Sequence, residues 1–230
     1  MSFIDILKSL PIVSYIFFGL FLVASIVQVI LAALDLDKIR RIEKSFCLLF
    51  LTIFVVVTVP TSPFVYIGAF LSMMGDLLLA FRKKMLFYIG SFTFAASHIF
   101  YLVSIIQIVD PLLPWFVYVI AAVVVILFYL ATTNLIAKRL TKSKFEQYSM
   151  MAYFTILFYN FLIMMMATIN LPLFLFITAI GGFIFIISDS CIVYNQFYKP
   201  IKNAEVIVMS TYLIAQALIV VGLIFTILLG

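Results

Sequence analysis

Two aspartates in this chain lie in runs apolar enough to be shut away from water. Asp76 sits in Phe70-Leu71-Ser72-Met73-Met74-Gly75-Asp76-Leu77-Leu78-Leu79-Ala80-Phe81, and Asp189 in the similar run Ile186-Ile187-Ser188-Asp189-Ser190-Cys191-Ile192. Ionisable side chains in such surroundings are costly, and by default they mark function. An ion pair kept for structure includes the opposite charge, yet neither run holds a Lys or Arg. The expectation is therefore two carboxyls without an intramembrane cation, and a functional role for both. Where two carboxyls share a low-dielectric cavity, one can keep its proton while the other carries the charge, which equips the pair for acid and base work.

That chemistry needs elements to position it, and composition says which kind. With 67% hydrophobic and 10% charged residues, the chain departs far from a soluble globule, whose fractions are nearer half and a quarter. Apolar stretches of about the length that crosses a ~30 Å hydrocarbon layer recur along the whole sequence. Residues 1–230 are thus read as a single integral membrane domain, an all-α polytopic helical bundle. The first apolar stretch exceeds a signal-peptide core and lacks a basic start with a small-residue cleavage site, so it is expected to stay as the first span. Cys47 and Cys191 fall inside apolar helices, which points to neither a disulfide framework nor a thiolate metal site. A single histidine, His98, argues against a zinc centre.

Eight spans are expected, at Ile12–Leu34, Lys44–Val59, Pro63–Phe81, Met85–Ile108, Leu112–Ala137, Gln147–Ile169, Pro172–Gln196 and Ala204–Leu229. Breakers mark several of the short connections: Pro60 and Pro63, Asp110-Pro111 with Pro114, Asn170 with Pro172, and Pro200. A net charge of +5 alone would fit a nucleic-acid partner, but all of the 14 basic residues except Lys8 fall in the first, third, fifth and seventh connections. That pattern is a topology signal; it implies no nucleic-acid partner and puts both termini on the non-cytoplasmic side.

The third and seventh spans then run toward the cytoplasm, and each aspartate comes five residues before the last apolar residue, Phe81 or Tyr194. Both carboxyls are expected roughly 7–8 Å below the cytoplasmic interface. Gln28 and Tyr212 fall at comparable depth, whereas His98, Asn160 and Gln216 lie nearer the midplane. Polar groups disfavour lipid, so most of these side chains are expected to face one interior cavity. Ser72, Gly75, Gly181, Gly182, Ser188 and Ser190 are small enough for close helix packing. Gln28, Asn160 and Gln216 are read first as interhelical hydrogen-bonding groups, and His98 stands between packing and function. The similar aspartate runs, four spans apart, are compatible with duplication into two four-helix halves.

This constellation resembles the YhhN-like lysoplasmalogenase family of eight-helix membrane proteins. The likeness rests on Gly75-Asp76, on His98 with Tyr101, on Ser188-Asp189-Ser190, and on Thr211-Tyr212 with Ala215-Gln216. Gly181-Gly182-Phe183-Ile184-Phe185 resembles the family's approach to the second aspartate, whereas residues 138–166 carry much less of the pattern. The resemblance implies hydrolysis of the vinyl ether bond of lysoplasmalogens, releasing a fatty aldehyde and a glycerophosphoethanolamine or glycerophosphocholine. Asp76 and Asp189 would be catalytic, with His98, Tyr101, Ser188, Tyr212 and Gln216 binding substrate or supporting.

Vinyl ether cleavage protonates the β-carbon, gives an oxocarbenium ion and adds water, after which the hemiacetal collapses. Two carboxyls can serve, as they do around the oxocarbenium-like state of glycosidases. Either may be written as the acid: Asp76 with Asp189 as base or cation stabiliser, or the reverse. No metal or organic cofactor is required. In a lysophospholipid the vinyl ether lies just beneath the glycerol. A phosphate near Arg82, Lys83 or Lys84 would place that bond at the depth of the carboxyls. Entry from the cytoplasmic leaflet is expected, with water as co-substrate and membrane lipids as surroundings, in the endoplasmic reticulum of a eukaryote or the cytoplasmic membrane of a bacterium. The competing reading is a proton-coupled transporter or channel using the same Asp and His groups. Against it, the third and seventh spans lack mid-span breaks apart from Gly181-Gly182, and both aspartates lie in one half of the membrane.

Overall fold

The computed structural model describes residues 3–81, 83–109, 113–133, 138, 143–168 and 172–229, and the regular elements among them are helices. In chain order these are α1 (Phe3–Ser9), α2 (Ile12–Ala33), α3 (Asp37–Thr58), α4 (Pro63–Ala80), α5 (Lys84–Val109), α6 (Trp115–Thr132), α7 (Lys144–Ala167), α8 (Pro172–Phe197) and α9 (Ala204–Leu229). Among the described residues, seven helices, α2 and α4 to α9, are long and apolar enough to cross a membrane. The chain is an integral, multi-pass, all-helical membrane protein. Large apolar side chains such as Val23 and Ile26 on α2 and Ile126 and Leu127 on α6 are exposed. In water such faces would be a liability, whereas acyl chains cover them without cost.

Several helix starts differ from the expectation: α5 begins at Lys84 rather than Met85 and α6 at Trp115 rather than Leu112, and three further differences have a local cause. The short α1 precedes the first span and had no counterpart in the apolar pattern. Helix α3 begins at Asp37 rather than Lys44, because hydrophobicity marks only where a helix turns apolar, while its charged first turns, Asp37-Lys38-Ile39-Arg40-Arg41-Ile42-Glu43, contain no breaker. The break before it lies at Asp35, whose φ of 54° is a left-handed conformation that a short acidic side chain tolerates. Helix α7 starts at Lys144 rather than Gln147: the Glu146 N–H donates to the Ser143 hydroxyl at 3.4 Å, as the Ser-x-x-Glu spacing favours. The expected breaks at Asp110-Pro111 and Asn170, the outer ends of the expected spans at Leu112, Ala137 and Ile169, and the basic residues Arg82, Arg139 and Lys142 lie outside the described residues.

The chain divides into two compact units, Met1–Ile108 with Val220–Gly230, and Val109–Ile219. The division after Ile108 coincides with the end of the fourth expected span. In the first unit α2 packs on α3 and α3 on α4. The Thr58 hydroxyl of α3 donates to Ser14 of α2 at 2.9 Å. Arg41 donates to the Ala80 carbonyl at 3.3 Å, supplying a donor and a positive charge at a helix C-terminus that needs both.

In the second unit α6 packs on α7 and α7 on α8, with Phe128 and Phe158 stacked at 4.4 Å and Phe161 against Phe183 at 5.6 Å. Gly181 of α8 lies against the α9 backbone so closely that a Cβ there would come within 2.7 Å of the Ile219 nitrogen. Gly181→Ala is therefore expected to destabilise the protein by about 1–3 kcal/mol. Gly182→Ala, whose Cβ would meet only the Met164 sulfur at 3.6 Å, is the control, expected within about 0.5 kcal/mol of wild type. Thermal melts of both variants in one detergent measure the difference.

Candidate functional site

Each unit holds one of the two aspartates, and each aspartate has its own neighbourhood. On α4 the buried positions Gly68, Ser72, Gly75 and Asp76 recur at helical spacing along one stripe. Helix α5 lies on that stripe residue by residue. The Tyr101 ring fills the space over Gly68, where a Cβ would stand 2.6 Å from it. One turn along, the Ser72 and Ser97 hydroxyls are hydrogen-bonded at 2.7 Å. Next, Phe94 and Thr93 cover Gly75, with 2.7 Å from a would-be Cβ to the Phe94 ring. Small residues thus bring the two helices together and fix the register at the residue before Asp76.

Asp76 is wholly buried, and Lys44 of α3 places its Nζ 2.7 Å from Oδ1. This corrects the expectation of a carboxyl without a cation. Because α3 starts at Asp37, Lys44 stands two turns inside the helix instead of in a connection, and its four-carbon stem carries the ammonium to α4 while the side chain stays 14% exposed. In an apolar setting such a pair is held by Coulomb attraction that water screens little. The preceding residue, Glu43, serves the other neighbour, since adjacent positions on a helix point in different directions. With its amide nitrogen turned to the acceptors, Gln28 of α2 donates to Glu43 Oε2 at 2.7 Å and to the Arg40 carbonyl at 3.0 Å. The Cys47 thiol lies 3.5 Å from both Glu43 carboxyl oxygens. Gln28 therefore plays the interhelical role its type suggests, and Lys44 and Glu43 bind α3 to α4 and α2 respectively.

His98 and Tyr101 of α5 are both buried, with their rings edge to face at 6.0 Å. Tyr101 belongs to the same α4–α5 stripe as Ser72 and Ser97. Of the basic residues suggested for the substrate phosphate, Lys83 is exposed, α5 begins at Lys84, and Arg82 lies outside the described residues.

In the second unit Asp189 of α8 is half-buried, and Tyr153 of α7 donates to its Oδ2 at 2.5 Å. The preceding Ser188 is fully buried and donates to the Val208 carbonyl of α9 at 3.2 Å. Tyr212 of α9 packs its ring on Phe185 of α8 at 5.7 Å, and Tyr212, Gln216 and Asn160 are all buried. Ser188 is thus a helix-to-helix tie, while Tyr212 joins the aromatic packing beside it.

Sequence reasoning missed Lys44, Glu43, Ser97 and Tyr153. The first two were legible in principle, because Arg40, Glu43, Lys44 and Cys47 recur at three- and four-residue spacing, a polar stripe that continues the apolar helix backward. Tyr153, one tyrosine among many aromatic residues in an apolar helix, carried no such signal.

A buried aspartate and a half-buried one, each bonded to a side chain from a neighbouring helix, define a polytopic helical membrane protein with polar chemistry inside its spans. The YhhN family model matches residues 39–223, and the chain belongs to the YhhN family. No curated protein and no solved structure is matched by the chain.

Proposed function

We propose that this protein is a lysoplasmalogenase, hydrolysing the vinyl ether bond of lysoplasmalogens to a fatty aldehyde and a glycerophosphoethanolamine or glycerophosphocholine. The observation that carries the reading is a fully buried carboxyl, Asp76, within an apolar helix of a YhhN family member. Protonating a vinyl ether carbon and stabilising the resulting cation calls for an acid and a carboxylate in a medium of low dielectric. Asp76 and Asp189 supply these groups, and His98, Tyr101, Ser188, Tyr212 and Gln216 bind substrate or support. Burial of Asp76, His98, Tyr101, Ser188, Tyr212 and Gln216 supports placing that chemistry inside the protein.

In this reading residues 1–230 act as one integral membrane domain. Helix α3 completes eight spans, both termini are non-cytoplasmic, and the lysolipid enters from the cytoplasmic leaflet. The protein resides in the endoplasmic reticulum of a eukaryote or the cytoplasmic membrane of a bacterium. Aldehyde release by the purified protein from a vinyl ether lysolipid, beside its ester and alkyl ether analogues, is the test. Cleavage of the vinyl ether alone is expected. Turnover of all three, or proton-coupled solute uptake into liposomes with no cleavage, contradicts the proposal.

A further inference from the structure

We infer that Arg41 binds the phosphate of the lysolipid: its guanidinium, held at the end of α4, takes the phosphodiester, and the glycerol reaches along α4 to set the vinyl ether beside Asp76. The inference rests on the hydrolase reading and sharpens it by naming what recognises the charged part of the substrate.

The register of the α3–α4 hairpin, which lies wholly within the first unit, carries the argument. Two side chains of α3 reach α4 in succession: the Arg41 guanidinium donates to the Ala80 carbonyl at 3.3 Å, and Lys44 Nζ stands 2.7 Å from Asp76 Oδ1. Rising positions on α3 meet falling positions on α4, so the two contacts are successive rungs of an antiparallel seam. Ala80 is the last residue of α4, and Asp76 lies one turn inside it, about 6 Å along the axis. That span is comparable with the extended glycerol link between a lysolipid's phosphate and its vinyl ether oxygen. The spacing is also held from both sides: Glu43 and Gln28 tie α3 to α2, and Phe94 and Thr93 of α5 cover Gly75 beside Asp76.

The outer rung has the chemistry a phosphodiester needs. A guanidinium stays charged and spreads its N–H donors over a planar fork, so it can bond a carbonyl and a phosphate oxygen together. The last carbonyls of a helix repel an anion, and Arg41 sets a positive charge among them. Arg41 is half-buried, and Phe81 and Lys83 just past the helix end are exposed, which keeps this end of α4 within reach of a headgroup. Arg41 thereby takes the task that charge alone assigns to the basic residues following α4. Because it reads the phosphodiester, ethanolamine and choline both lie beyond the group it recognises.

The test sets a truncated substrate against a truncated side chain in the full-length protein. Wild type is expected to cleave the vinyl ether lysolipid with a kcat/KM about 10- to 100-fold above that for the matching 1-alkenylglycerol, which lacks the phosphate and headgroup. Arg41→Gln is expected to lose this preference, cleaving the two within about threefold of each other while its kcat/KM for the alkenylglycerol stays at the wild-type value. That retained cleavage shows the variant to be folded. Arg41→Lys is expected to recover part of the preference, and Lys199→Gln, which removes an exposed charge in the second unit, to keep all of it. A wild type indifferent to the phosphate, equal losses on both substrates in Arg41→Gln, or a preference lost in Lys83→Gln and kept in Arg41→Gln each overturn the inference. Calorimetric binding of the alkyl ether lysolipid beside its alkylglycerol, in detergent, reads the same preference without turnover. A wild-type protein that releases no aldehyde overturns the hydrolase reading itself, and a binding preference that Arg41→Gln abolishes still upholds the arginine as the phosphate site.

Discussion

Asp76→Asn is expected to lower aldehyde release by about 1,000-fold or more, with the protein still folded. The size follows from what the substitution removes. Asparagine matches the shape of the carboxyl but can neither carry the negative charge nor accept a proton. Losing a group that transfers a proton costs 100- to 10,000-fold as an order of magnitude, and losing charge stabilisation in a water-excluded site is of similar size. Because Asp76 is wholly buried and paired with Lys44, the variant also strands an ammonium. Size-exclusion profiles and melts are therefore needed beside the assay. Lys44→Met/Asp76→Asn removes both charges and is expected to regain stability without regaining turnover, which separates chemistry from folding. A folded Asp76→Asn protein retaining more than a tenth of wild-type turnover removes Asp76 from the mechanism.

Asp189→Asn is expected to show a comparable loss, and Tyr153→Phe a graded one. Asp189 accepts the Tyr153 hydroxyl, and a hydrogen bond to an ionisable group contributes about 1.5–3 kcal/mol. Deleting it corresponds to a loss of roughly 10- to 100-fold, well short of removing the carboxyl. The ring remains to pack edge-on against Phe154, 5.7 Å away, so Tyr153→Phe is expected to melt within a few degrees of wild type. The comparison is informative whichever order emerges. A Tyr153→Phe loss as large as that of Asp189→Asn would transfer the proton-moving role to the phenol. Unimpaired turnover in Asp189→Asn would leave the reaction to the first unit.

Much of this arrangement is written in the sequence because the membrane makes the code strict. Twenty or so apolar residues must be helix, so the spans from Pro63, Pro172 and Ala204 start where expected. Glycine and serine beside an aspartate in lipid have few uses other than close packing, and Gly75 and Ser188 are both spent on helix contacts. What the sequence hides is the partner of each carboxyl. Lys44 sits among residues whose charge explains topology, so its second use is masked by its first. Hydropathy cannot report where a helix begins when its first turns are charged, and those turns of α3 put Lys44 within reach of α4. Tyr153 is hidden for the opposite reason, being one aromatic side chain among many. Pair partners depend on helix rotation and neighbour choice, which one-dimensional patterning leaves open.

The ion pair between α3 and α4 also bears on how the chain enters the bilayer. Among the described residues α3 is the long helix that falls short of a self-sufficient apolar span, and α4 carries an aspartate that lipid resists. Presented one after the other to an insertion machinery, each would bring an uncompensated charge. Presented as a hairpin across the short Val59–Ser62 turn, they would bring Lys44 and Asp76 in together as an ion pair. The lysine and aspartate that face each other make the two helices a unit that comes apart only as a whole, since moving α3 off α4 separates Lys44 from a fully buried carboxyl.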